Sequence, residues 1–446
     1  GAGYLKIYKI VIFTYCIHFS DEQLRRGGFV LYILFGIYSF TLLAIVCNDY
    51  FIPCVELICE DLKIPQNVAA ATFMAVATSC PEFFVNLIST FLTESDMGIG
   101  TIVGSALFNI LGVAAIGSRL LSKLWLWPVT RDAIIYLFNV TVLVIIVWDG
   151  QVLWYEALVL GVLYILYFFI MFNSMRIFAL YDRIVASCCK TPIYIVNTEK
   201  PVEDGINNKA YSTESLPNSN EVTEKHMEEK VEEKPKKSVW RFPSKKSPLY
   251  KIWWLYSWPL KLILSYTIPS PITYRRLYPI SFIMCIVCIG GNSYIVSWKL
   301  FFTAGHTFFI PDSVMGMTFL AMGGCLPEAC SIFIMSRRGE GGIGVSNALG
   351  ANSLAILFAL GVPWLIKTLS FLVQGAENTA VYINSSGIDF VIASLIIAVV
   401  ILWIILFLGK YKLRRSVGLI LACFYCLFIT FAVLLEMGVI IPTRKC

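Results

Sequence analysis

Charged residues are scarce in this chain of 446 residues, and their scarcity excludes most classes of soluble protein. Asp, Glu, Lys and Arg make up 14% of the sequence, whereas soluble globular proteins carry about 25%. Hydrophobic residues reach 58%, and the mean hydropathy is +0.74. Apolar segments of about 20 residues are long enough to cross a bilayer as helices. Such segments occur at about 29–52, 66–92, 98–118, 133–148, 152–173, 279–300, 313–335, 343–366, 388–409 and 416–440. We therefore expect an all-α polytopic protein with about ten transmembrane helices in a lipid bilayer.

Histidine is also rare, and the usual residue patterns of enzymes are missing. The three histidines, His18, His226 and His306, form no cluster of the metal-binding type, and the sequence contains no nucleotide-binding P-loop or plausible hydrolytic triad. The net charge of +6 comes without a basic patch interleaved with aromatic residues, so no nucleic-acid partner is expected. The fourteen cysteines are mostly scattered singly through apolar segments and are interpreted as small core residues. We expect neither an enzyme nor a resident cofactor.

A single long polar region divides the chain. Residues 176–277 separate the fifth apolar segment from the sixth, and their central part, 198–246, is rich in Glu, Lys, Ser and Pro. Such a composition buries too little apolar surface to offset the entropy of ordering, so a cytoplasmic, largely disordered loop is predicted. The remaining parts are an N-terminal segment at 1–28, a first membrane half at 29–175 and a second at 278–446.

Basic residues favour one orientation of the predicted spans. With the long loop in the cytoplasm, the short inner loops hold ten Lys and Arg residues, and the outer loops hold four: Lys299, Lys367, Arg444 and Lys445. The sequon that begins at Asn384 then lies outside, where a glycan could be attached. The basic residues of the N-terminal segment disagree with this orientation, because they would also lie outside.

An internal repeat with an offset of 246 residues is the most informative pattern in the chain. The segment TFMA at 72–75 recurs as TFLA at 318–321, and Pro81-Glu82 recurs as Pro327-Glu328. The two copies cover about 66–118 and 312–366. The first copy begins on the second span and the second copy on the seventh, five spans later. Because this offset is odd, the copies enter the membrane with opposite orientations. Inverted repeats of this kind are typical of secondary transporters, whose binding site lies near the midplane between interrupted helices.

The repeated acids Glu82 and Glu328 indicate a paired cation site. A charged group at the centre of a membrane helix costs roughly 2.5–3.5 kcal/mol, so an intramembrane acid is a functional hypothesis by default. The preceding prolines remove backbone donors and free carbonyl oxygens nearby. A site built from such hard oxygen ligands suits Ca²⁺ and also Na⁺.

The first copy surrounds Glu82 with further oxygen donors on the same helical face or on the next span: Thr78, Ser79, Asn86, Ser105 and Asn109. The alternative for each of these side chains is that it joins helices through hydrogen bonds and close packing. Their grouping around one acid favours ion ligands.

These motifs resemble those of a known transporter family. Residues 71–109, with ATFMA, TSCPE and GTIVGSALFN, resemble the first alpha-repeat of the potassium-dependent sodium/calcium exchangers of the cation/calcium exchanger superfamily. Residues 44–51 are similar to that family's first core helix, and residues 310–321 to the start of its second repeat. The resemblance implies an electrogenic antiporter that exchanges external Na⁺ for cytosolic Ca²⁺, with K⁺ moved alongside Ca²⁺. It further implies that Glu82 and Glu328 are the central Ca²⁺ ligands, and it favours the plasma membrane over an organelle membrane.

The second copy departs from the family pattern. Four donors of the first copy, Thr78, Ser79, Ser105 and Asn109, align with Gly324, Cys325, Ala351 and Ala355. In the family, an acid at the position of Ala355 is linked to potassium dependence, whereas Asn352 beside it is retained as a candidate ligand. A thiol is a soft and poor ligand for Na⁺ or Ca²⁺. We therefore expect Ca²⁺/Na⁺ antiport with weak or lost K⁺ dependence. The alternatives are a non-transporting or regulatory homologue, a Ca²⁺/H⁺ exchanger and a cation channel.

Overall fold

The computed structural model of this chain describes residues 21–23, 27–62, 73, 75–113, 115, 126–173, 248–326, 328–329, 341–375, 379–383, 388–408 and 415–437. The centre of the predicted cytoplasmic loop, most of the N-terminal segment and the sequon at Asn384 lie outside these residues, as does Pro327. Residues 1–172 and 259–446 belong to one compact unit and residues 173–258 to another.

Helices dominate the described residues, as the composition predicts. In chain order they are α1 (Asp21–Gln23), α2 (Phe29–Val46), α3 (Ile52–Asp61), α4 (Ala75–Thr78), α5 (Cys80–Ile88), α6 (Met97–Leu107), α7 (Leu126–Val147), α8 (Trp154–Phe172), α9 (Pro248–Thr267), α10 (Tyr278–Tyr294), α11 (Thr303–Phe308), α12 (Asp312–Met315), α13 (Ala321–Gly324), α14 (Gly341–Leu354), α15 (Gly361–Val373), α16 (Ile388–Leu408) and α17 (Arg415–Glu436). Turns of π-helix occur at Cys47–Phe51, Ser89–Thr93, Phe108–Val113, Ile295–Phe302, Gly316–Leu320 and Ala355–Leu360, and a 3₁₀ turn at Arg275–Leu277.

Seven continuous helical stretches of the described chain are long and apolar enough to cross a membrane, which confirms a polytopic helical protein. They are Phe29–Asp61, Thr130–Val147, Trp154–Phe172, Arg275–Ser297, Ala348–Val373, Val391–Leu408 and Ser416–Glu436. The predicted spans at 66–92, 98–118 and 313–335 are not among them. The third predicted span appears as the shorter apolar helix Met97–Gly112, and the helices of the other two are interrupted near the repeated acids.

The interruptions fall at equivalent residues of the two repeats. Between α4 and α5, Ser79 has φ −86° and ψ 2°, and after α13, Cys325 has φ −78° and ψ −3°. Helical hydrogen bonding resumes in the same way after each break, because Phe83 N donates to Ser79 O and Ala329 N donates to Cys325 O. Pro81 lies in the first turn of α5, where a missing N–H costs nothing. Each break therefore lies three residues before a repeated acid.

The two repeats contact each other through glycine. Helix α6 packs against the segment 312–324, and a Cβ at Gly104 would overlap the Met317 carbonyl and lie 2.6 Å from the Ala321 methyl group. A Cβ at Gly316 would likewise overlap the Met97 carbonyl. Such close backbone approach is the usual role of small residues in membrane helix packing. It brings the polar residues of α6 and of the second broken helix together.

The outer faces of the long helices are apolar. Large hydrophobic side chains such as Ile165, Phe169, Val287 and Phe407 are more than 60% exposed. A soluble protein rarely exposes an extended apolar surface, whereas lipid chains are its natural environment. This pattern agrees with an integral membrane protein.

A short antiparallel sheet joins two loops of the compact unit that holds the repeats. Strand β1 (Gln151–Val152) pairs with β2 (Val381–Tyr382), with Gln151 opposite Tyr382. Strand β1 belongs to the connection between α7 and α8, and β2 to that between α15 and α16. The sheet therefore ties the same end of both membrane halves together.

Most of the described part of the predicted loop, residues 248–277, is the helix α9. Helix α9 includes Pro259 in its interior, and from this residue onward it belongs to the compact unit of the two repeats. There Leu260 and Leu264 are buried in a core that includes residues of α2, α3 and α10. In the other unit, the described residues are Asn173 and the first part of α9, in which the rings of Trp254 and Trp258 lie 6.1 Å apart.

Candidate cation-binding site

The breaks in the two repeats place Glu82 and Glu328 in the interior. Glu82 lies in the first turn of α5, where the positive end of the helix dipole favours a carboxylate. The exposed fractions of Glu82 and Glu328 are only 3% and 4%. One oxygen of each carboxylate and the Cys325 Sγ all lie within 4.8 Å of one another. The repeated acids therefore converge, as the inverted repeat predicts.

The electrostatics of this cluster favour a bound cation. Two ionised carboxylates within this distance repel each other by at least about 3.5 kcal/mol at an effective dielectric constant near 20. Among the described residues, neither the Glu82 Oε2 atom nor the Asn109 Oδ1 atom has a hydrogen-bond partner. Buried polar atoms of native proteins almost always have a partner. A cation between the carboxylates would relieve the repulsion and supply that partner.

Asn109 connects the two halves of the cluster. It lies in the π-helical turn after α6, and its Nδ2 donates to Glu328 Oε2 at 2.5 Å and to Asn352 Oδ1 at 2.9 Å. Asn352, on α14, in turn donates to the Ala106 carbonyl at 3.5 Å. The structure thus brings two of the three predicted asparagines into one chain of hydrogen bonds, in which Asn109 holds the Glu328 carboxylate directly and Asn352 holds Asn109.

The predicted hydroxyl donors are buried beside the cluster. Ser79 Oγ donates to the Ala351 carbonyl at 3.5 Å, and Ser105 Oγ donates to the carbonyl of Ile102 at 3.1 Å. Thr78 is buried at the end of α4. Each of the two serines thus donates its hydroxyl hydrogen to a backbone carbonyl.

Asn86 faces away from the acidic cluster although it lies on the same helix as Glu82. Its Nδ2 donates to the backbone carbonyl of Glu82 at 2.9 Å, and its side chain lines a cavity of about 330 Å³ that Glu82 does not line. A Cβ at Gly98 would overlap Asn86 Oδ1 and Ser89 Oγ, so this glycine makes room for both side chains. Asn86 therefore faces the cavity, one turn beyond the central cluster.

Comparison with known proteins identifies the family. The family model described as sodium/calcium exchanger protein matches residues 11–173 and 277–434, which is well over half of the chain. The chain belongs to the sodium/calcium exchanger family. It is thus a secondary transporter rather than an enzyme, and the predicted resemblance is confirmed.

Two similar human proteins agree with this assignment. The sodium/potassium/calcium exchanger 5 of Homo sapiens is 32% identical over 95% of this chain and 86% of its own length. The sodium/potassium/calcium exchanger 4 of Homo sapiens is 29% identical over 94% of this chain and 84% of its own length. A solved structure of the sodium-calcium exchanger NCX_Mj is 17% identical, with a TM-score of 0.48 over 90% of this chain and 99% of that one.

Two features of this exchanger's site were not predicted from the sequence. A Cβ at Gly324 would lie 3.2 Å from Glu82 Oε1, so the missing side chain leaves room for the carboxylate. Cys325, interpreted from the sequence as a core residue, is fully buried and is also part of the acidic cluster. The alignment of the two repeats locates both residues, but it does not show that they adjoin Glu82 of the opposite copy.

The exchanger also holds a buried lysine that was assigned to an outer loop. Helix α15 continues to Val373, past the predicted end of the span at 366, and includes Lys367 with an exposed fraction of 9%. Lys367 Nζ donates to the Thr90 carbonyl at 2.6 Å and lies 2.9 Å from Glu94 Oε1. These partners explain how the helix continues through a charged residue. Both Lys367 and Glu94 line the cavity that contains Asn86.

Proposed function

We propose that this exchanger moves Ca²⁺ against Na⁺ by alternating access, with the two ions competing for a site between Glu82 and Glu328. The observation that carries the proposal is the convergence of two buried carboxylates from opposite inverted repeats. The names of the similar human exchangers include sodium and calcium, which supports the same pair of ions here.

The dimensions of the cluster suit Ca²⁺. Oxygen ligands lie 2.3–2.6 Å from Ca²⁺, so two ligands of one ion are separated by at most about 5.2 Å. The spacing within 4.8 Å of the two carboxylates fits this limit without rearrangement of the backbone. The Asn109 Oδ1 atom adds a further oxygen. Ser79, Ser105, Thr78 and Asn352 are proposed to complete the ligand set as the site closes around an ion.

The cavity that Asn86 lines is proposed as the access route from outside. Its wall includes Glu94 and Asp96, from the connection between α5 and α6, and residues 380–383 around β2. The predicted orientation places both connections on the outer side, and the fact that both line one cavity supports that common side. Asn86 at the inner part of this cavity, bonded to the Glu82 carbonyl, would then be the last polar group before the central site.

Potassium dependence is proposed to be weak or lost. Ala355 begins the π-helical turn after α14 and is buried, with an exposed fraction of 6%. Its methyl side chain supplies no oxygen at a position where the family resemblance implies a carboxylate. The similar human exchangers carry potassium in their names, so this residue would set the present chain apart from them.

We propose that residues 176–277 include a cytoplasmic loop with a disordered centre between two membrane halves, 29–175 and 278–446. The plasma membrane is the proposed location, with Asn384 as a glycosylation site on its outer side.

The experiment that tests this function is calcium flux into vesicles that contain the purified exchanger. An outward Na⁺ gradient should drive Ca²⁺ uptake, and K⁺ at a fixed Na⁺ gradient should change the rate little. Strong K⁺ stimulation would contradict the proposed role of Ala355. Uptake driven by a pH gradient without Na⁺ would instead indicate a Ca²⁺/H⁺ exchanger, and the absence of any flux would indicate a non-transporting homologue.

A further inference from the structure

Cys325 adds a sulfur atom to the two carboxylates of the central cluster. The residue lies at the break of the second repeat and is completely buried. Its Sγ is within 4.8 Å of a carboxylate oxygen of Glu82 and of Glu328. The thiol contacts the Ser105 carbonyl at 3.7 Å and hydrogen-bonds with the Glu328 carboxylate, and a metal ion bound to the sulfur would replace both interactions.

The equivalent residue of the first repeat behaves differently. Ser79 is a hard oxygen donor, and its hydroxyl group donates to the Ala351 carbonyl. The site is thus asymmetric, with a sulfur on one side only. Soft thiolate ligands select zinc-like ions, whereas carboxylate and carbonyl oxygens select Ca²⁺ and Mg²⁺. One sulfur and two carboxylates form a donor set that suits a borderline or soft divalent cation better than an alkali metal ion.

We propose that Glu82, Cys325 and Glu328 form a binding site for a thiophilic divalent cation of the Zn²⁺ and Cd²⁺ class. The proposal rests on the proposed function, because it concerns the same central site and adds a second class of cation to it. Three protein ligands with an open fourth position are the arrangement of a zinc site that exchanges its remaining ligand. The Glu82 Oε2 atom, which has no partner among the described residues, is a second observation that points to a ligand here.

The geometry allows this with small side-chain movements. Zinc lies about 2.3 Å from sulfur and about 2.0–2.2 Å from carboxylate oxygen, so its ligands are separated by at most about 4.5 Å. The three donor atoms are already within 4.8 Å of one another. As the metal–sulfur bond forms, the thiol proton passes to the solvent, because only the thiolate is a metal ligand. Glu82 is free to rotate toward the ion, since Gly324 has no side chain beside it.

The test measures metal binding and Ca²⁺ competition separately. Cd²⁺ is titrated into the purified full-length exchanger, and the ultraviolet charge-transfer absorption of a cadmium–thiolate bond is recorded. The affinities for Cd²⁺ and Ca²⁺ are then compared in the parent protein, in Cys325→Ser, and in Cys285→Ser as a control at an equally buried cysteine. Loss of an outer-shell partner alone costs about 10–100-fold in metal affinity, so losing a direct ligand should lower the Cd²⁺-to-Ca²⁺ affinity ratio at least tenfold.

The expected result is an absorption band that saturates with one Cd²⁺, that disappears in Cys325→Ser and that persists in Cys285→Ser. Competition by Ca²⁺ for the bound Cd²⁺ would place both cations at one site. A parent protein without the band, or a Cys325→Ser variant with an unchanged affinity ratio, would overturn the proposal. Both readouts are binding measurements, so they are independent of Na⁺-driven flux. Failure of the exchange function would therefore be seen separately, as absent flux with the band intact.

Discussion

The close contact between the two repeats at Gly104 predicts that a larger residue there lowers the free energy of unfolding. In Gly104→Ala, the new methyl group would overlap the Met317 carbonyl and lie 2.6 Å from the Ala321 side chain. Real Cβ atoms essentially never come within 3.0 Å of a neighbour, and a backbone carbonyl cannot rotate away as a flexible side chain does. Overpacking of this kind typically costs 1–3 kcal/mol. We expect the free energy of unfolding to fall by about that amount, because α6 must separate from the segment that ends at Cys325.

Gly291→Ala is the matched control for this substitution. Gly291 is also helical, on α10, but a Cβ there would meet nothing within 4 Å. Alanine in a helix interior is favoured over glycine by roughly 0.5–1 kcal/mol, so Gly291→Ala should be neutral or stabilising. Gly104 is helical too, so this gain is common to both variants, and they should differ by the overpacking cost of about 1–3 kcal/mol in unfolding followed in mixed micelles. Equal stability of the two variants would refute close backbone packing between α6 and the second repeat.

Other substitutions test the site and the proposed access route. Asn109→Leu removes the amide that fixes Glu328, and hydrogen bonds to charged groups are worth about 1.5–3 kcal/mol. The Ca²⁺ affinity measured by equilibrium binding should therefore fall by about 10–150-fold. An unchanged affinity would exclude Asn109 from the site. Ala355→Asp should make Ca²⁺ flux respond to added K⁺, and a folded variant that remains insensitive would contradict the assignment of K⁺ dependence to this position. Lys367→Gln removes a positive charge from the cavity wall and should raise the apparent affinity for external Na⁺; no change in a Na⁺ titration of flux would argue against the cavity as the access route.

The repeat in the sequence was sufficient to predict that two particular acids are buried close together. Glu82 and Glu328 stand out because a carboxylate in an apolar segment is costly, and a matched pair in inverted copies must meet near the centre. The breaks at Ser79 and Cys325 were also foreseeable, since a proline follows each of them two residues later. Symmetry and the cost of burying charge therefore predicted the convergence of Glu82 and Glu328.

Other contacts depend on how helices meet, and spacing along one helix does not determine them. Asn86 follows Glu82 by four residues, but four residues turn a helix by about 400°, so the side chain is rotated by about 40° and raised by about 6 Å. It faces the cavity for this reason. Asn109 bonds to Glu328 across 219 residues of sequence, and the path of a π-helical turn decides that contact.

At the end of α15, the hydropathy pattern wrongly predicted that Lys367 lies in a loop. The apolar run in the sequence ends at 366 because the next residue is the charged Lys367. The helix continues because Thr90 and Glu94, which are more than 270 residues distant, satisfy the ammonium group. A pattern of local hydropathy contains no information about such distant partners.

The most direct test of the central claim is Na⁺-driven Ca²⁺ uptake by the purified exchanger and its single variants Glu82→Gln and Glu328→Gln in proteoliposomes. Each variant keeps the size of the side chain and removes one of the two charges that hold the ion. The account predicts robust uptake by the parent protein and loss of uptake in both variants, each of which should remain folded in detergent. Full Na⁺-driven uptake by either variant would contradict a central site built from this pair of carboxylates.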